Sequence, residues 1–243
     1  MSGLLVRRRP LRRFLLRALP LLVLLALTGT LAAALQVHDI RVSGARRFPA
    51  AQVEQALRAA LGTPTVAARP EALREMVLTV PWVADARVRL SLDGTVTCAV
   101  TERVPVAVAL DNGRRSLVDR EGTVLAPAGP TDSGLEIEGF GAEPETRAAV
   151  LAALPELQRA WGAAARRVTR LGPSDVALRF ADTDCVVAVD PDRPEQLAAA
   201  RRVLSAWIAA HGAAPLRLDA RAAGRVAVLP APEPEPEADA EAE

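Results

Sequence analysis

Apolar and polar positions between residues 38 and 104 follow two periods, one belonging to strands and one to helices. Ile40 and Val42 alternate with Arg41 and Ser43, as in a short half-buried strand. Pro49 opens a helix whose Val53, Ala56, Leu57, Ala60 and Leu61 share one face, and Gly62-Thr63-Pro64 stops it. A second helix starts at Pro70-Glu71 and buries Leu73, Met76, Val77 and Val80, with Trp82 as a core plug after Pro81. Val88, Leu90 and Leu92 then alternate with polar residues up to Asp93-Gly94, and Val96, Cys98 and Val100 alternate after it. Two alternating runs joined by Asp-Gly predict a tight hairpin. The element order of this module is β-α-α-β-β.

Residues 105–229 read as a second, mainly β module with flanking helices, so the predicted fold class is α+β. Val106 and Val108 open a strand, Asn112-Gly113 turns it, and Leu117-Val118, Val124-Leu125 and Leu135 with Ile137 supply short further strands. Residues 143–161 are helical in pattern, with Val150, Leu154, Leu157 and Trp161 on one face and Pro155 expected to kink or split the helix. Strands follow at Val176–Phe180 and Cys185–Val189. A helix opened by Pro194 buries Leu197, Leu204, Trp207 and Ile208 and stops at Gly212. Leu216 and Leu218 begin a last pair of strands, turned at Ala223-Gly224 into Val226 and Val228. Residues 230–243 alternate Pro and Glu and are too polar to pack, which predicts a disordered tail.

Upstream of both modules the pattern loses its polar phase altogether. Residues 18–37, from Ala18 to Val37, form a run of twenty without a charge, long enough to cross a bilayer as a helix. Its eight leucines, at about −0.5 kcal/mol each, outweigh Pro20, Gly29 and the threonines on an insertion scale. Residues 1–17 hold Arg7, Arg8, Arg9, Arg12, Arg13 and Arg17 and no acid, which places the N-terminus in the cytoplasm and exports the chain beyond residue 37. A cleaved signal is the competing reading, because Ala32-Ala33-Ala34 offers a small-residue cleavage site and Arg12-Arg13 a twin-arginine flank; the uncleaved anchor is preferred.

Charge alters this picture only at the ends. The chain carries 30 basic and 29 acidic residues, and six of the acids fall within residues 233–243. With both ends set aside the middle is near neutral, which argues against a nucleic-acid surface. Cys98 and Cys185 fall in different modules and read as buried thiols rather than a disulfide. Neither His38 nor His211 has companions at metal-ligand spacing, and no nucleophile elbow, paired cysteines or phosphate loop is present. Asp182, Asp184 and Asp190 cluster around a strand and read as solvated loop acids. No catalytic residue, cofactor or metal site is expected.

Several segments carry a family resemblance. The first module resembles a POTRA domain, and its place after a single anchor helix is similar to the FtsQ/DivIB cell-division family. Ile40-Arg41-Val42-Ser43-Gly44 resembles that family's opening strand and turn, and Val80 to Val88 its helix-to-strand junction. Glu102-Arg103-Val104-Pro105-Val106-Ala107 resembles the segment joining its two modules. Leu117-Val118-Asp119 with Gly122-Thr123-Val124-Leu125 resembles the next hairpin, and Leu218-Asp219-Ala220-Arg221 with Val226-Ala227-Val228 its last paired strands. The resemblance implies a non-enzymatic, single-pass scaffold of the bacterial divisome in the cytoplasmic membrane at the septum. It also implies partners, FtsB/DivIC and through it FtsL, received along the edge strand at Arg221, Val226, Ala227, Val228 and Leu229. Ala222 departs from the pattern, since the family often has a larger or aromatic residue there. The runner-up, a POTRA-bearing component of outer-membrane protein assembly or secretion, needs a barrel of about ten residues per strand that the remaining chain is too short to form.

Overall fold

The computed structural model describes residues 19–20, 22–24, 35–141 and 143–232. Ala18, most of the predicted membrane span, the arginine flank from Arg7 to Arg17, and the acidic residues 233–243 lie outside the described residues. Among those described, no helix is long and apolar enough to cross a membrane. The chain divides into two compact units at Arg103/Val104.

In the first unit, β1 (Asp39–Ser43), α1 (Ala51–Leu57, continued by a 3-10 turn at Arg58–Ala60), α2 (Pro70–Leu78), β2 (Val83–Leu90) and β3 (Thr95–Glu102) follow the predicted order. The sheet runs β1-β3-β2, with β1 parallel and β2 antiparallel to the central β3. Parallel β1 and β3 require a crossover, which the helix pair supplies. Val53, Leu57, Leu73 and Val77 pack with Val83, Val96 and Cys98 in one core. Gly94 closes the β2–β3 hairpin at φ +85°, where a Cβ would stand 2.2 Å from the carbonyl oxygen of Gln36. The turn therefore demands glycine on two counts.

Five expectations change here. Val37, expected at the end of the membrane span, is 1% exposed in this core, and it exchanges backbone bonds with Gly62 and Thr63. The folded unit thus begins by Leu35, whose carbonyl accepts from Thr65, and a membrane span would have to end before it. Leu61 is exposed because the chain turns extended at that residue (ψ 134°) and leaves the helical face. Met76 is exposed, since Leu73 and Val77 alone face the sheet. Leu92 lies in the hairpin turn beyond the end of β2 and is 81% exposed. Trp82 is half-buried at the rim, its ring stacked on Phe48.

The second unit holds β4 (Pro105–Asp111), β5 (Arg114–Asp119), β6 (Val124–Pro127), β7 (Leu135–Glu138), α3 (Pro144–Trp161), β8 (Ala165–Arg170), β9 (Val176–Phe180), β10 (Val186–Val189), α4 (Glu195–His211), β11 (Arg217–Asp219) and β12 (Ala227–Leu229). They form one nine-stranded sheet ordered β12-β11-β10-β9-β8-β7-β4-β5-β6. Parallel neighbours β7 and β8 are joined through α3, and parallel β10 and β11 through α4. Strand register sorts the side chains into two faces. Leu218, Val187, Leu178, Val168 and Ile137 form a buried row with α3 and α4 over them. The adjoining row, Arg217, Val186, Arg179, Arg167 and Glu136, lies on the opposite face.

Here too the structure corrects details. Helix α3 runs unbroken through Pro155 rather than splitting. Ile208 is 40% exposed and Trp207 half-buried, because α4 meets the sheet through Leu197, Ala200 and Leu204. Strand β8 is not among the expected elements, its alternation hidden by three arginines. Arg147 is 3% exposed and donates to the carbonyls of Gly122, at 2.8 Å, and Gly141.

Candidate functional site

The margin of the large sheet is set by β11 and β12, and its geometry follows from bond parity. Val186 donates to the Leu216 carbonyl and Ala220 to that of Ala188, so Leu218 between them also turns its backbone groups towards β10. Arg217 and Asp219 must then face β12, where they pair with Leu229 and Ala227. The N–H and C=O of Val228, out of phase with those of its two neighbours, point away from the sheet. Among the described residues no strand pairs with that side of β12. The margin is an open backbone donor and acceptor on an edge strand.

The side chains there divide by face. Val226 and Val228 are half-buried against the core beneath the helices, whereas Leu229 is 53% exposed and Ala227 is exposed. Val226 precedes the strand proper. Four of the five predicted partner-binding residues therefore sit on one short segment, and only Ala227 and Leu229 present exposed side chains.

Arg221 has an internal task. Its guanidinium binds the Asp219 carboxylate through Nε (2.9 and 3.1 Å) and Nη2 (2.6 Å), and its Nη1 reaches Asp175 at 3.2 Å. The Arg221 hydrogen bonds hold the Asp219 carboxyl below its ordinary range, with burial opposing, and the two acids raise the arginine further. Arg221 thus ties the end of β11 to the β8–β9 turn and sets the path of the chain into β12. Ala222 beside it is exposed.

Several acids of the two units have structural work. Asp182 accepts from the Trp161 indole at 3.0 Å and Arg201 at 2.6 Å, linking α3 to α4. Burial raises its carboxyl, and these two donors outweigh that to leave it lowered. Asp190 accepts from the backbone of Asp192. Glu102 caps the amides of Arg46 and Arg47 at 2.5 and 2.6 Å. Cys98 and Cys185 are buried free thiols, and burial pushes both up in pKa. Among the described residues no group of His, Cys, Asp and Glu could hold a metal ion.

A family model for the FtsQ-type POTRA domain matches residues 35–103, the same stretch that folds as the first unit. A Mycolicibacterium smegmatis protein named cell division protein FtsQ is 31% identical over 212 residues, 81% of this chain and 63% of its own length. A Salinibacter ruber protein of the same name is 33% identical over 135 residues, 49% of this chain and 52% of its own length. The chain therefore spans less than two thirds of the relatives it matches. A solved extracytoplasmic domain of the division protein DivIB from Geobacillus stearothermophilus aligns at 18% identity and a TM-score of 0.30, covering 46% of this chain and 96% of its own. With an FtsQ-type POTRA domain at its head and similarity continuing into the sheet that carries the open edge, this chain belongs to the FtsQ/DivIB cell-division family.

Proposed function

We propose that the protein is a non-enzymatic, single-pass scaffold of the bacterial divisome, binding other division proteins outside the cytoplasmic membrane to position septal wall synthesis. The observation that carries this reading is the open backbone edge of β12 at Val228. A partner strand laid along it gains main-chain hydrogen bonds, which need no particular side chain on this protein. The partner is FtsB/DivIC, itself paired with FtsL. Residues 18–34 serve as the anchor, with the arginine-rich segment before them in the cytoplasm. Seventeen residues at helical rise span about 25 Å, at the short end of what a bilayer accepts.

Imaging the chain tagged at its N-terminus in dividing cells of its source tests the assignment. A band at the constriction is expected. An even outline with no enrichment at constrictions would overturn it, and a diffuse tag with a shortened exported product would return the anchor to a cleaved signal near Ala34.

A further inference from the structure

The two most exposed large apolar side chains among the described residues, Val66 at 86% and Leu92 at 81%, stand at one end of the first unit. Strand register defines that end. β1 runs parallel to β3 with Asp39 beside Thr95, so the β2–β3 turn that carries Leu92 lies where β1 begins. His38 confirms the approach by donating its backbone N–H to the Gly94 carbonyl at 3.0 Å. The same entering segment pairs with the loop after α1. Gln36 bridges Pro64, and the amides of Thr65 and Gly62 donate to the carbonyls of Leu35 and Val37, each at 2.8 Å. Val66 follows Thr65 and so comes level with the point at which the chain enters the unit. Leu35 and Leu61 are exposed on the same paired segments. Single exposed apolar residues need no explanation, but four on three segments around one entry point form a patch that marks a contact.

We infer that this end of the first unit docks on the lipid bilayer, with Val66 and Leu92 seated at the boundary between headgroups and acyl chains. The inference rests on the reading of residues 18–34 as the anchor. Chain length then names the occupant. No linker separates that run from the fold, because the Leu35 carbonyl accepts from both the amide and the hydroxyl of Thr65. Seventeen residues at helical rise cover about 25 Å, against a hydrocarbon core of about 30 Å. The deficit draws residue 35 and its neighbours down to the surface instead of holding them clear of it. Charge agrees with a lipid partner. Residues 55–70 hold Arg58 and Arg69 and no acid, which suits anionic headgroups beside the apolar loops. The acids at the same end are occupied, Asp39 by Arg41 at 2.9 Å and Asp93 by the Thr95 amide at 3.1 Å.

The test is lipid quenching of an environment-sensitive fluorophore on the full-length chain in nanodiscs. The discs contain phosphatidylcholine and phosphatidylglycerol with a doxyl quencher high on the acyl chain. Labels are placed singly at Val66→Cys, Leu92→Cys, Thr101→Cys and Leu24→Cys, and Cys98 and Cys185 are buried and escape labelling. Thr101 is exposed near the far end of β3 and serves as the distal reference, whereas Leu24 reports on the anchor. Blue-shifted and quenched emission is expected at 66, 92 and 24, with neither change at 101. Val66→Asp should weaken the quenching at 92, and Leu92→Asp that at 66, because each loop helps to seat the other. Both positions are exposed, so these variants leave the fold intact. Quenching at 24 with equal signals at 66, 92 and 101 would overturn the docking and leave the anchor standing. Absence of quenching at 24, 66 and 92 together would overturn both. Indifference of each loop to the aspartate in the other would also overturn the docking, since nearness would then come from the tether alone.

Discussion

Val228→Pro is the sharpest probe of the open edge, because bond parity makes its effect separable from unfolding. The Val228 N–H faces outward, so proline removes no bond from the β11–β12 ladder. A partner strand loses one backbone hydrogen bond, about 1 kcal/mol net. It also meets the pyrrolidine ring, leaving a partner carbonyl unsatisfied for about 1–3 kcal/mol more. A total of about 2–4 kcal/mol is roughly a 30- to 1,000-fold weakening. Val228 is only half-buried, so the fold should lose about 1 kcal/mol, near 4 °C in melting temperature for a unit of this size. Ala227→Pro is the counterpart. Its N–H points into β11, so it should lower the melting temperature further and abolish binding through the fold. Val228→Ala keeps the backbone donor and should bind within about threefold of the parent. Calorimetric titration of each purified variant with the proposed partner FtsB/DivIC, with a thermal melt alongside, measures both quantities. Binding of Val228→Pro within twofold of the parent would refute strand addition at β12.

Gly44 sits at φ +93° with a would-be Cβ 2.2 Å from the Val100 carbonyl oxygen, so Gly44→Ala should destabilise the first unit by about 3 kcal/mol or more in a urea melt. Arg147→Met strands the buried carbonyl of Gly122, while that of exposed Gly141 turns to water, and the second unit should lose about 2 kcal/mol. The lowered carboxyls of Asp182 and Asp219 stabilise the fold while ionised. Their contribution is present above the ordinary aspartate range and is lost as pH falls through their lower folded values. The melting temperature of the second unit should therefore drop on acidification below about pH 4. Asp182→Asn should flatten that drop, measured by circular dichroism against pH.

The first unit is readable because each of its elements carries a complete local signal. Asp93-Gly94 between two alternating runs fixes a hairpin, and Pro49 and Pro70 open helices with one apolar face each. The expectations that fail at Leu61 and Leu92 concern residues beyond an element's end, where periodicity continues on paper after the backbone has changed direction, whereas Met76 fails inside α2, whose buried face is narrower than the pattern. In the second unit β8 escapes notice because Arg166, Arg167 and Arg170 mask its alternation. Its strand character comes from pairing with β7 and β9, a tertiary cause. The strand that carries Val226 to Leu229 is legible in the sequence, but the structural part played by Arg221 is not. Nothing local distinguishes Arg221 as a clamp on Asp219 and Asp175 from Arg221 as a contact residue, since Asp175 lies 46 residues away. The buried Arg147 leaves no trace either, because a helical arginine is ordinarily solvated.

Chain order and spatial order coincide at the margin of the large sheet, where β12 is both outermost and the last of the described strands to leave the ribosome. A chain interrupted before Ala227 still contains every residue of the buried core row from Ile137 to Leu218, and it ends in β11. The groups then turned outward are those of Arg217 and Asp219, in place of that of Val228, and they stand among charged side chains. An unfinished molecule would thus turn a different edge outward, so the proposed docking on β12 would also require that synthesis has reached residue 229.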